Sequence, residues 1–381
     1  MKTTAYAKLI LIIAWGLLHS ACAQDPPEAV NWQAVLVAQG VSHPWGLTWL
    51  PDGRALVSSR SGTLHVLNGN QFDEIPLDGL PAPYVGGQGG LLDIALHPDD
   101  QGGSIRVYMT MSRGTGARNR TVLVRGVFDG ARVGNFQVLF KVRPHKSGSQ
   151  HFGSRLLWLP DGTLLMSVGD GGNPPLVIGD RLARDQAQNL ASHLGKILRL
   201  TEDGAPAPGN PFIGVAGAVP EIWSYGHRNV QGLAVDPGGR VWATEHGPRG
   251  GDELNRIRRG KNYGWPLQSW GLDYRTGEPV GEHFVPGMKN SKTHWSPSIA
   301  PSGLTAYTGN DFPGWRGSLF GGGLVSADVR RIALDAKGNV RFERRIPLGA
   351  RVRNVRQGPD GFLYAITDED NGKLYRIGRR P

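Results

Sequence analysis

The stretch Pro44-Trp45-Gly46-Leu47-Thr48-Trp49-Leu50-Pro51-Asp52-Gly53, followed by Ala55-Leu56-Val57-Ser58, decides the fold. It reads as a short apolar strand, a tight turn and a second apolar strand. Proline presets φ for the turn, aspartate can bond the backbone ahead, and glycine accepts φ > 0. Two such strands across such a turn make a β-hairpin. The same sentence returns five more times. Gly90 to Asp99 leads into Ile105–Tyr108, and Ser154 to Gly162 leads into Leu164–Gly169. Gln231 to Gly239 leads into Val241–Thr244, and Ser302 to Tyr307 leads into Ser318–Gly321. Val352 to Gly361 leads into Leu363–Ile366.

Four of the units run on into a further strand, as in Gly62-Thr63-Leu64-His65-Val66-Leu67 and Gly372-Lys373-Leu374-Tyr375-Arg376-Ile377. A single unit cannot bury both of its faces, so neighbours must stack around a ring. An all-β, six-bladed β-propeller is therefore expected, with long functional loops on one face. A β-sandwich would not explain six copies of one unit. The spacing is uneven, with long insertions at residues 171–228 and 258–300. Loops of that length in a compact domain tend to carry function.

The composition agrees. The 381 residues include 56 Gly and 27 Pro without a Gly-X-Y period, which points to many turns. The formal charge is +10, but the basic residues are scattered. No zinc-finger or helix-turn-helix spacing appears, so nucleic acid is not an expected partner. An anionic small ligand held by several arginines fits the charge equally well.

At the start, Lys2 and Lys8 precede the uncharged run Leu9–Leu18, and Ala21-Cys22-Ala23 follows. This is the pattern of a secretory signal peptide over residues 1–23. Residues 24–381 are then one propeller domain in a periplasmic protein with no transmembrane segment after processing. The run is too short to span a bilayer. Cys22 is the single cysteine. Lipid anchoring through Cys22 is the alternative, against which His19 stands where a lipobox favours Leu. Either a monomer or a homodimer fits the sequence.

No hydrolase, zinc or phosphate-loop motif is present. What remains is a set of polar residues at the starts of units, which a propeller brings together at its central funnel. They are Gln88, His151, Asp170, Arg228, Asn229, the segment Glu245 to Glu253, Arg351 and Arg353. A histidine can take a proton from a hydroxyl, and Asp170 could orient it. Several arginines aimed at one funnel would bind a polyanion. Singly, each has an ordinary structural reading. A lone histidine at a strand start is usually a hydrogen-bonded structural residue, and Gly247-Pro248 alone is a turn.

Taken together, the chain resembles the soluble sugar dehydrogenases that depend on pyrroloquinoline quinone (PQQ), from His43-Pro44-Trp45 to Tyr375-Arg376-Ile377. The resemblance rests on Gly87-Gln88-Gly89-Gly90-Leu91-Leu92, His151-Phe152-Gly153, Trp223 to Asn229, Glu245 to Glu253 and Lys261 to Pro266. It implies an enzyme that oxidises the anomeric hydroxyl of an aldose to a lactone, with PQQ as hydride acceptor. His151 would be the base and Asp170 its support. Gln88, Arg228 and Asn229 would contact substrate or quinone, and Arg351 and Arg353 would grip the cofactor carboxylates. Gly247 and Pro248 would hold a Ca²⁺ acting as Lewis acid at the quinone, and Glu253 and Tyr263 a structural Ca²⁺.

Two positions depart from the family pattern. Gln150 precedes the base, which places the chain nearer the aldose branch than the glucose enzymes. Val325 stands where the family usually has a lysine facing the cofactor. A metal-dependent lactonase on the same scaffold, or a non-catalytic sugar-binding or partner-binding propeller, are the competing functions. The sequence names neither the sugar nor the electron acceptor.

Overall fold

The computed structural model describes residues 25–380, so the expected signal segment and Cys22 lie outside the described residues. β1 (Trp32–Val41) comes first. Blade one is β2 (Pro44–Trp49), β3 (Ala55–Ser59), β4 (Leu64–Asn68) and β5 (Gln71–Ile75). Blade two is β6 (Leu91–Leu96), β7 (Ile105–Gly114), β8 (Asn119–Phe128) and β9 (Val133–Lys141). Blade three opens with β10 (Leu156–Trp158) and β11 (Leu164–Val168). A small hairpin follows, β12 (Val177–Ile178) with β13 (Arg181–Leu182), before β14 (Lys196–Leu200) and β15 (Ile222–Tyr225) complete the blade. Blade four is β16 (Val230–Val235), β17 (Val241–Glu245), β18 (Asp252–Ile257) and β19 (Thr293–Trp295). Blade five is β20 (Pro301–Ala306), β21 (Leu319–Gly323), β22 (Asp328–Leu334) and β23 (Val340–Pro347). Blade six is β24 (Val352–Gln357), β25 (Leu363–Thr367) and β26 (Gly372–Arg379), completed by β1.

Every blade is thus a four-stranded antiparallel sheet. All six units run on into further strands, including the two whose continuation the sequence did not display. The fourth strand of blade six comes from the opposite end of the chain, with Trp32 opposite Arg379 and Val41 opposite Gly372. The two long insertions are not all loop either. The first contains β14 and β15, and the second contains β19. These strands are short and follow long connections, so no turn signal marks them.

Alternation along each strand sends one side chain to the preceding blade and the next to the following one. On β7, Val107, Met109 and Met111 pack with Leu56 and Leu64 of blade one. Tyr108 packs instead with Leu164 and Met166 of blade three. The last interface closes the ring, as Val57 of blade one meets Ile366 and Leu374 of blade six.

A polar device accompanies these apolar layers. The first strands of five blades slip register near their start, at Pro44/Gly46, Leu91/Ile94, Val230/Gly232, Pro301/Leu304 and Val352/Asn354. Each slip is a β-bulge that leaves a backbone N–H out of the ladder. In blades one and two a hydroxyl from the second strand fills it, and blade three makes the same pair of bonds without a slip. Ser58 Oγ accepts from Gly46 N and donates to Leu92 O of the next blade. Thr110 Oγ1 accepts from Asp93 N and donates to Ser154 O, and Ser167 Oγ accepts from Arg155 N and donates to Val230 O. Thr244 Oγ1 donates to Ser302 O. In blade five, Ser302 itself donates to Val352 O.

The hydroxyl also explains two glycines of the repeated unit. A Cβ on Gly46 would lie 2.7 Å from Ser58 Oγ, and one on Gly232 would lie 2.3 Å from Thr244 Oγ1. Replacing Thr110 by Val keeps the shape and strands two buried polar groups, Asp93 N–H and Ser154 C=O. The expected loss is about 2 kcal/mol of unfolding free energy by denaturant titration. A loss below about 0.5 kcal/mol would show that the hydroxyl is not an inter-blade tie.

Candidate active site

The first strands start, and the second strands end, on one face of the ring. A cavity opens there. Trp45, Arg351 and Arg353 reach it from first-strand starts, and Gln88 from the connection ahead of β6. Arg60, His246, Leu324 and Asp368 each follow directly on the last residue of a second strand and also line it. Val325 stands at the mouth, 64% exposed. His151, Asp170, Arg228 and Asn229 are not lining residues. They flank the cavity and are bonded into its wall.

His151 is held in the left-handed region at φ 50, uncommon for a residue with a side chain. Its N–H donates to Gln88 Oε1 at 2.8 Å. Its Nδ1 lies 2.7 Å from Asp170 Oδ1. Asp170 also accepts from Gly172 N at 3.0 Å and from Trp265 Nε1 at 2.7 Å. A carboxylate that only accepts assigns the proton to Nδ1 and leaves the Nε2 lone pair available. Nε2 has no protein partner among the described residues. Burial, then the Arg228 charge, hold His151 below the ordinary histidine value, with Asp170 opposing. The imidazole is therefore neutral at pH 7, as a base must be.

The cavity is strongly cationic. Arg353 and Arg351 both approach the single lining carboxylate, Asp368. Burial alone would raise Asp368, but Arg353 holds it well below the usual carboxylate range. Arg60 adds a third guanidinium, which donates to Gly87 O at 2.7 Å. Below them, the Trp45 ring has the buried Arg155 at 4.2 Å and Arg353 at 5.9 Å. His246 donates through Nε2 to Pro301 O at 2.8 Å. Burial, then Arg228, His151 and Arg353, press it down to about 3, so it is neutral.

Three buried donors here lack any partner: Arg228 Nε, Asn229 Nδ2 and Arg353 Nε. The rest of Arg228 is engaged, with His246 O at 3.1 Å and Asn173 Oδ1 at 2.7 Å. Asn229 Oδ1 accepts from Gly153 N at 3.1 Å. Unpaired buried donors are costly, and an acceptor-rich ligand would satisfy them.

The four metal candidates lie elsewhere. Gly247 and Pro248 do not line the cavity. The Gly247 N–H is tied to Asp252 Oδ1 at 2.9 Å, and Pro248 O already accepts from Leu272 N at 2.9 Å. Glu253 lies near Glu245, the two linked through Asn255 Nδ2 at 2.9 Å each. Burial and the Glu245 charge push Glu253 up to about 8. Asn255 Oδ1 is buried without a partner. That acceptor-rich set fits a hard cation. The Tyr263 hydroxyl does not join it, since it donates to Arg256 O at 2.6 Å and accepts from Arg258 N at 2.8 Å. Among the described residues, no three His, Cys, Asp or Glu side chains gather as a metal cage.

The profile of the glucose/sorbosone dehydrogenase family matches residues 41–376. The chain belongs to that family. It is 38% identical to the aldose sugar dehydrogenase YliI of Escherichia coli, over 93% of this chain and 94% of that protein. The structure of the soluble aldose sugar dehydrogenase from Escherichia coli in its apo-form superposes with a TM-score of 0.84 at 37% identity, covering 92% of this chain and 100% of that one. The PQQ-bound aldose sugar dehydrogenase of Streptomyces coelicolor gives 0.72 at 30% identity, covering 93% and 99%. Within this glucose/sorbosone dehydrogenase, Trp45, Arg60 and Asp368 line the cavity although the sequence did not single them out, and His246 lines it from the Glu245 to Glu253 segment that the sequence did.

The His151 assignment has a direct check. Long-range ¹H–¹⁵N spectra should show one Nδ1–H tautomer at pH 7, unchanged down to pH 6.5. In Asp170→Asn the tautomer should no longer be fixed. Titration of the wild-type ring near 6.5 would refute the placement.

Proposed function

We propose that this sugar dehydrogenase oxidises the anomeric hydroxyl of aldoses to lactones, with PQQ bound in the arginine-lined cavity and His151 as base. The observation that carries the reading is the His151–Asp170 pair, with an open Nε2 beside a cavity holding three guanidinium groups. PQQ, when bound, supplies the hydride acceptor. Nε2 of His151 takes the hydroxyl proton, and Asp170 stabilises the imidazolium that results. Arg228 and Asn229, whose Nε and Nδ2 are buried without a partner, would contact ligand oxygens. Arg351, Arg353 and Arg60 hold the carboxylates of the cofactor. Arg60 supplies the cation that Val325 does not. No step runs through a metal ion.

The lactonase reading is disfavoured because Asp368, the one carboxylate lining the cavity, is neutralised by Arg353. Among the described residues no helix is long and apolar enough to cross a membrane. Export to the periplasm is part of the proposal and rests on residues 1–23.

Reconstitution with PQQ tests the whole reading by dye reduction across a panel of aldoses. His151→Ala should lower turnover about 10²–10⁴-fold while PQQ affinity, read by its absorbance, holds. Arg60→Met should weaken PQQ binding about tenfold or more, since a charge-assisted bond is lost. No turnover with any aldose, and no spectral change of added PQQ, would sink the proposal.

We also place a structural cation at Glu253, Glu245 and Asn255. Chelation by EDTA should lower Tm by several degrees and Ca²⁺ should restore it. Glu253→Gln should abolish the difference. An unchanged melt after chelation removes the cation from this site.

A further inference from the structure

Blade two carries a basic surface on the funnel side. β7 and β8 place Arg113 directly opposite Arg120. The turn between them carries exposed Arg118, and exposed Arg143 follows β9. Like charges set opposite one another weaken a sheet. None of these four guanidinium groups forms an ion pair with a carboxylate among the described residues. The same two strands behave differently away from the funnel. There Arg106 pairs with Asp100 and Glu202, and Arg125 pairs with Asp203. The crowding is felt locally. Burial, then Arg118 and Arg143, lower Arg120, and burial, then Arg120 and Arg118, lower His145.

This surface is continuous with the cavity wall. Gly116 O, in the arginine-bearing turn, accepts from Gly148 N at 2.8 Å. Ser149 O, one residue on, accepts from Gln88 N at 2.8 Å, and Gln88 both lines the cavity and holds His151. A partner seated on the four arginines would therefore sit beside the funnel mouth.

The chemistry calls for such a partner. Oxidising an aldose to its lactone removes two electrons and two protons. The chain after residue 22 has no cysteine, so it offers no thiol or disulfide to receive the electrons. Once the cofactor is reduced, they must leave to an outside oxidant. We infer that the arginine face of blade two docks an acidic one-electron redox protein. Two molecules of it are reduced per sugar, and the two protons pass to solvent. This inference rests on the PQQ reading above. Opposite charge steers encounter by 10- to 10³-fold at low salt and loses that effect as salt screens it.

The test uses the full chain reconstituted with PQQ. The probes are an acidic cytochrome b5, a basic cytochrome c and a neutral small quinone as acceptors. The acidic cytochrome should be reduced at least about tenfold faster than the basic one at low salt, with the advantage gone near 0.5 M NaCl. The triple variant Arg113→Gln/Arg118→Gln/Arg143→Gln should lose about tenfold with the acidic cytochrome and nothing with the quinone. Equal rates for the two cytochromes, or an unaffected variant, would overturn the inference. Anisotropy of labelled cytochrome b5 on the cofactor-free protein reads docking separately. If the quinone is not reduced, the oxidation reading fails while this binding still decides the surface. Binding of anionic lipid vesicles lost in the variant, without binding of the cytochrome, would assign the face to a membrane and overturn the proposal.

Discussion

The hydroxyl bond from each of blades one to five to the backbone carbonyl of the next blade is the contact on which the funnel depends. A propeller held only by apolar layers between blades would let them slide, because hydrophobic burial has no direction. The bonds from Ser58, Thr110, Ser167, Thr244 and Ser302 to the next blade's carbonyl fix both height and rotation. Asn354 Nδ2 leans toward Trp45 O at 3.5 Å, where the ring returns to blade one. These ties lie immediately beneath the cavity, so the residues above inherit their precision from them.

That arrangement explains how a site is assembled from pieces far apart in the chain. Trp45 and Arg60 come from blade one, His246 from blade four, Arg353 and Asp368 from blade six. Each is one residue on a strand end whose position is set by a neighbour's carbonyl. His151 differs, since it sits on the connection between blades two and three and is bent into the left-handed region. Its N–H bond to Gln88 and its ring bond to Asp170 hold it from both sides.

The six strand–turn–strand units were legible because each carries its own turn chemistry within ten residues. β14, β15 and β19 were not, since they pair across long connections that no local signal marks. β1 was missed for the same reason at larger scale, its partner being the far end of the chain. At the site, His151 was readable from a family-like segment, and Asp170, Arg351 and Arg353 as polar residues at the starts of the repeated units. Arg60 and Asp368 stand alone in sequence, without motif neighbours, while His246 lies within the Glu245 to Glu253 segment. Their common position was the available signal, as each directly follows the second strand of its unit. Applied at blade five, the same rule points to Leu324, which explains why that side of the cavity is apolar.

The pairing of β1 with β26 has a consequence for how the molecule is made. The first strand cannot settle until the last has been synthesised, so a contact spanning almost the whole chain closes the ring. Contacts of such long range are slow to form. Until then β1 and β26 are both open edges, each able to add a foreign strand. A chain threaded through a membrane from its amino end would meet this hazard for the whole of its passage. It would depend on a companion that shields a sheet edge until its own tail arrives.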